Sequence, residues 1–258
     1  MTPRMTNATT NMQPTPTPDT TPDTTPTPTP TPTPGTVAVL GATGTVGSRV
    51  IAEARARGHH VLALSRKPPN AGPGVTPVAV DASDPDAVRE ALAGSGPHGA
   101  ADAVVLAVRT VPVDREFLVG ATRTALDGAA RLGARVLVVG GAGALRSPDN
   151  RDLLVADNPG YVPAELRPVA AAGVAQLRAC RAHTGGDWVY LSPPAVLEPG
   201  ERTGRYRRGT DTLLIGVDGR SWISTEDLAV AVLDELEAPC GERHITVAHS
   251  EGPAAART

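Results

Sequence analysis

Along residues 36 to 139, short apolar runs alternate with amphipathic stretches, and that alternation already predicts an architecture. Thr36–Leu40, His60–Ser65, Val75–Val80, Ala103–Val108 and Arg135–Val139 are five or six residues long and apolar at successive positions, as strands buried on both faces are. Between them, Ser48–Arg57, a short stretch opened by Asp81-Ala82-Ser83-Asp84 and running through Leu92, and Arg115–Leu132 carry apolar residues at helical spacing. Strands joined by helices favour right-handed crossovers and a parallel sheet. The expected fold is therefore α/β, a Rossmann-like doubly wound parallel sheet with helices on both faces.

The later pattern is less regular and predicts a small irregular C-terminal substrate region. Ala164–Ala182 is helix-rich, and Trp188–Leu191 reads as a sixth strand stopped by Ser192-Pro193-Pro194. Val217-Asp218-Gly219-Arg220 is a hairpin signal between Leu213–Ile215 and Ser221–Ile223. Ser224 or Thr225 can cap a helix from Glu226 to Glu237, and His244–Ala248 is a last strand. Residues 1–34 differ in kind: Thr and Pro dominate and nothing apolar could offset the entropy of ordering, so a disordered extended tail is expected before one domain at 35–258.

Composition narrows the possibilities. Hydrophobic residues make up 40% of 258 and aromatic ones 2%, so Val, Leu, Ile and Ala must fill the core, as suits a parallel sheet. The net charge of −3 offers no basic stripe for nucleic acid. No apolar run reaches the roughly 20 residues that cross a bilayer, and no signal-peptide core opens the chain. Cys180 and Cys240 form no CxxC pattern. These features lead us to expect a cytoplasmic protein without a membrane or nucleic-acid partner.

The most specific chemistry lies after the first strand, in Gly41-Ala42-Thr43-Gly44-Thr45-Val46-Gly47. Strand, tight turn and helix start in that order present free N–H groups and the positive helix end to a pyrophosphate. Gly41 would make the turn, Gly44 allow close approach, and Gly47 let the helix pack on the sheet.

At the end of the second strand, the acidic residue that would grip an NAD ribose is missing. Ser65-Arg66-Lys67 stands there instead. Arg66 and Lys67 suit a 2′-phosphate, which favours NADPH over NADH, unless they are merely solvated loop charges. Asp81 and Ala82 end the third strand, where they could meet adenine; Asp81 could equally cap the following helix. Ala107, Val108 and Arg109 after the fourth strand, and Gly140 and Gly141 after the fifth, fall on the same sheet edge beside the expected nicotinamide. For Arg109 a plain surface charge is the alternative.

Lys67 is the only lysine, so a Tyr-x-x-x-Lys proton relay has no place in the sequence. Tyr161, Tyr190 and Tyr206 are followed four places on by Glu165, Pro194 and Thr210. The six histidines lack metal-ligand spacing, no GxSxG elbow is present, and His59 and His60 read as covering a helix end.

The glycine turn, Val138-Val-Gly-Gly-Ala-Gly-Ala-Leu145, Leu191-Ser-Pro-Pro-Ala-Val-Leu-Glu-Pro-Gly-Glu-Arg-Thr-Gly204 and Gly216–Val230 together resemble the NAD(P)H-binding, NmrA-like atypical short-chain dehydrogenases. Within that group the chain is most similar to NADH-flavin reductases, relatives of biliverdin-IXβ/flavin reductase. The resemblance covers roughly residues 36–249 and implies cofactor contacts at Gly41, Thr43, Gly44, Thr45, Val46, Gly47 and Pro193. It also implies hydride transfer to a flavin, quinone or similar conjugated acceptor, with the second proton available from water. Arg109 matches an arginine of these reductases, whereas Gly141 and Gly173 stand where they carry Ser and His. The alternative is a regulator of the NmrA type that senses the dinucleotide without turning it over.

Overall fold

The computed structural model describes residues 35–94, 96 and 98–250. The Thr/Pro segment 1–34 lies outside the described residues. Three short apolar strands, β1 (Thr36–Leu40), β2 (His60–Ser65) and β3 (Val75–Ala79), are followed by β4 (Ala103–Leu106), β5 (Arg135–Val139) and β6 (Trp188–Ser192). Two further strands, β8 (Tyr206–Gly209) and β10 (His244–His249), complete an eight-stranded sheet of order β3-β2-β1-β4-β5-β6-β10-β8. All pairs are parallel except β8 against β10. Strand order reverses between β1 and β4, which opens a crevice at the carboxyl ends of the strands.

The helices are α1 (Thr45–Ala56), α2 (Pro85–Ala93), α3 (Arg115–Ala130), α4 (Arg167–Ala182) and α5 (Thr225–Glu237). Side chains alternate across the sheet and supply two cores. Ala38, Leu40, Val104 and Leu106 pack with Val88, Leu92, Ala125 and Leu177 of α2, α3 and α4. Val37, Val39 and Val105 pack with Val50 and Ala54 of α1 and with Leu228 and Val232 of α5. The doubly wound arrangement follows from which face each crossover covers. Strands buried on both faces explain why the sequence shows continuous apolar runs instead of alternation.

Several boundaries differ from the sequence expectation. α1 begins at Thr45, because Thr45-Val46-Gly47 is already helical, and β4 ends at Leu106, leaving Ala107–Arg109 as loop. Asp81 does not cap α2. Asp84 does, accepting from the N–H groups of Asp86 and Ala87, while Asp81 accepts from the N–H and hydroxyl of Ser83. The expected hairpin forms only its turn: Gly216 N–H donates to Arg220 O at 2.7 Å, but Leu213–Ile215 is not a strand. Leu213 is drawn instead into a third apolar cluster with Leu145, Val155 and Val162. Trp222–Ser224, here β9, pairs in parallel with Val196–Glu198, β7, and neither β7 nor β8 was anticipated.

Candidate functional site

A cleft of about 1240 Å³ opens along the carboxyl edge of the sheet. All of the residues expected to bind cofactor line it except Gly47, which is buried beneath the turn. β1 delivers Gly41, Thr43, Gly44, Thr45 and Val46; β2 delivers Arg66 and Lys67; β3 leads to Asp81 and Ala82. On the other side of β1, the ends of β4, β5 and β6 bring Ala107, Val108 and Arg109, then Gly140 and Gly141, then Pro193.

The glycine turn is packed to its limit. Gly41 has φ +92°, and a Cβ there would lie 2.3 Å from the carbonyl oxygen of Ala107. At Gly47 a Cβ would lie 2.1 Å from Gly41 O, so α1 meets the turn closely. The result is an open helix N-terminus. Gly44 caps α1 without any side-chain hydrogen bond, and the first turn contains no acidic residue. In α2, α3 and α5 the corresponding N–H groups are taken by Asp84, Asp114 and Ser224, each with an acidic residue in the first turn. The first N–H groups of α1 and roughly half a unit of positive charge therefore face the cleft uncompensated, which fits an anionic group such as a pyrophosphate.

Beside this end, Arg66 and Lys67 are exposed at the tip of β2 and take part in no ion pair among the described residues. Ser65 Oγ is buried without a hydrogen-bond partner. Asp81 is held below the usual carboxylate range by the Ser83 N–H, then the Ser83 hydroxyl, with a weaker attraction from Arg66. Cationic groups, a free hydroxyl and an ionised carboxylate at adjoining strand ends fit the adenosine half of a dinucleotide.

The far half combines Pro194, Ala195 and Leu197 of the distinctive 191–204 block with residues of α3 and the 155–170 segment that the sequence did not single out. Phe117, Val155, Tyr161, Val162, Leu166, Val169, Ala170, Pro194, Ala195 and Leu197 line it. Tyr161 is partly exposed, and burial, reinforced by Asp149, pushes its hydroxyl above the ordinary phenol value. The signal available in the sequence was the apolar pair Leu166 and Val169, spaced three residues apart at the start of a helix-rich stretch.

Tyr190 plays a different part. It is fully buried in β6, and its hydroxyl donates to Gly173 O at 2.8 Å; burial raises its pKa. A Cβ on Gly140 would lie 1.9 Å from that ring, so Gly140 is the space Tyr190 occupies. A Cβ on Gly141 would meet nothing within 4 Å. The distinctive block ending at Gly204 does not all line the cleft: Pro193, Pro194, Ala195 and Leu197 do, whereas Arg202 grips Glu53 through two bonds of 2.7 Å and Thr203 and Gly204 bind Asp227. That block straps α1 to α5. His59 bridges Gly35 N–H and Glu237 and takes no part in the cleft.

The sequence profile of the NAD(P)H-binding family matches residues 41–239, and the chain belongs to that family. It is 34% identical over 221 residues to the Bacillus subtilis "uncharacterized protein YwnB", covering 83% of this chain and 99% of that one. Among solved structures, a "putative exported protein" from Burkholderia pseudomallei shares 37% identity at a TM-score of 0.73, covering 83% of this chain and 99% of its own. A "putative NADH-flavin reductase" from Streptococcus pneumoniae shares 27% identity at a TM-score of 0.70, covering 84% of this chain and all of its own. The fold is thus Rossmann-like and matches reductase neighbours. Among the described residues no helix is long and apolar enough to cross a membrane.

Proposed function

We propose that this protein is an oxidoreductase that binds NADPH in preference to NADH and passes hydride to a flavin, quinone or similar conjugated acceptor. The observation that carries the reading is the uncapped start of α1 opening into the same cleft as Arg66 and Lys67. The first N–H groups of α1 would hold the pyrophosphate, Arg66 and Lys67 the 2′-phosphate, and Asp81 and Ala82 the adenine side. Bound there, NADPH would supply the hydride. The chain's own contribution would be orientation, with Gly140, Gly141 and Pro193 shaping the surface on which the nicotinamide lies. No tyrosine-lysine relay is needed for an acceptor whose second proton can come from water.

The domain would span 35–258, working in the reducing cytoplasm that suits the free Cys180 and Cys240. Steady-state oxidation of NADPH by purified protein, with FMN, riboflavin and quinones as acceptors, tests the activity. Turnover above background supports it; tight NADPH binding without turnover overturns it. The structural use of Tyr190 favours a second reading, an NmrA-type sensor. Equal calorimetric affinity for oxidised and reduced NADP, with no turnover, is its signature.

A further inference from the structure

The charged residues lining the cleft are unevenly placed. Arg66, Lys67 and Asp81 lie at the ends of β2 and β3, and Arg109 and Asp114 flank the loop after β4. Beyond β4, every lining residue from the ends of β5 and β6 and from the segment 155–170 is uncharged. Leu166 and Val169 are 52% and 43% exposed at its margin and lie three residues apart, able together to cover a bound apolar group. Phe117 supplies an aromatic wall from the start of α3.

In this half Tyr161 provides the phenol, and its hydroxyl has no hydrogen-bond partner among the described residues. A phenol is neutral at pH 7 without any shift, so this hydroxyl carries a proton to donate, and burial together with Asp149 pushes its pKa further up. Tyr190, the other tyrosine nearby, spends its proton on Gly173 O.

We propose that the acceptor is an uncharged quinone whose carbonyl oxygen accepts a hydrogen bond from the Tyr161 hydroxyl. The inference rests on the hydride-transfer reading above and narrows its acceptor. In the overall step, NADPH, quinone and one proton give NADP⁺ and hydroquinone: a C–H bond of the dihydronicotinamide breaks and its electron pair moves with the hydrogen to the quinone. The oxygen that gains negative charge is the one facing Tyr161, and the proton that completes the hydroquinone comes from water in the open cleft. Tyr161 stabilises that charge by its hydrogen bond and keeps its own proton. A phosphate- or carboxylate-bearing acceptor would find no cation among the lining residues of β5, β6 and the 155–170 segment, Arg109 after β4 being the last one on the way.

The test pairs 2-methyl-1,4-naphthoquinone with 1,4-naphthoquinone-2-sulfonate, which differ chiefly in charge. Calorimetry on protein saturated with NADP⁺ reads binding independently of turnover. We expect the neutral quinone to bind at least tenfold more tightly than the sulfonate, and Tyr161→Phe to weaken it several-fold with NADPH affinity unchanged. Val169→Arg, a change at an exposed position, should narrow the gap between the two. Equal or tighter binding of the sulfonate overturns the inference, as does a Tyr161→Phe protein that binds the neutral quinone as well as the parent. Neutral-quinone binding without NADPH oxidation would leave this selectivity standing and overturn the reductase reading instead. In the active case Tyr161→Phe should lower kcat about tenfold while leaving KM for NADPH in place.

Discussion

Gly41 and Gly47 show how much function a single hydrogen can hold. A Cβ at Gly47 has nowhere to go except into the carbonyl oxygen of Gly41, 2.1 Å away, and that atom belongs to rigid backbone. Gly47→Ala should therefore cost about 1–3 kcal/mol, the range of overpacked sites, and should displace the turn that presents the α1 N–H groups. Gly141→Ala is the control: its φ is −135° and its Cβ would meet nothing within 4 Å. Thermal melts should show a lower Tm for the first and an unchanged Tm for the second; equal effects would refute the packing account. The packing roles of Gly41 and Gly47 were legible in the sequence because spacing alone orders strand exit, turn and helix start. The reason for Gly140 was not, since Tyr190 lies fifty residues on in sequence and only the β5–β6 pairing brings the two together.

Among the elements, those governed by local periodicity were readable and those governed by competition for partners were not. β1 to β6 and α1 to α5 each announce themselves by a run or a cap, as Ser224 does by accepting from Asp227 N–H at 3.0 Å. The 213–223 segment carries equally good hairpin chemistry, yet Leu213 is worth more in the cluster with Val155 and Val162, and Trp222–Ser224 finds β7. The Arg202-Thr203-Gly204 strap is a similar case. Asp227 is fully buried and accepts from Thr203 N–H at 2.8 Å, Gly204 N–H at 2.7 Å and the Thr203 hydroxyl. Asp227→Ala would leave these donors without an acceptor and should destabilise the fold by roughly 3 kcal/mol, at the cost of a few such losses. Chemical denaturation checks this; a change under about 0.5 kcal/mol, as at a typical surface site, would show that the strap is held by something else.

At the scale of the whole molecule, one buried group on the amino-terminal side of the sheet gives stability a pH signature. His244 is 7% exposed, its Nε2 lies 3.0 Å from Ser192 Oγ, and burial, aided by Arg181 and opposed by Asp211, lowers its pKa to about 4. Because the folded state resists the proton that the unfolded chain accepts near 6.5, stability should fall as pH drops from about 6.5 to 4, by ~1.4 kcal/mol per unit, and level off below. Glu53, whose pKa is lowered first by its Arg202 hydrogen bonds, loses its contribution only below the ordinary carboxylate value of 4.5, so the two windows separate. His244→Gln should flatten the dependence between pH 6.5 and 5; an unaltered slope would assign it to other groups.

What the cleft holds can be read by isothermal titration of the parent protein and of Arg66→Ala with NADPH and with NADH. We expect one NADPH per chain, bound more tightly than NADH, with Arg66→Ala weakening NADPH at least tenfold and NADH hardly at all. Equal loss for both dinucleotides, or no binding of either by the parent protein, would contradict it.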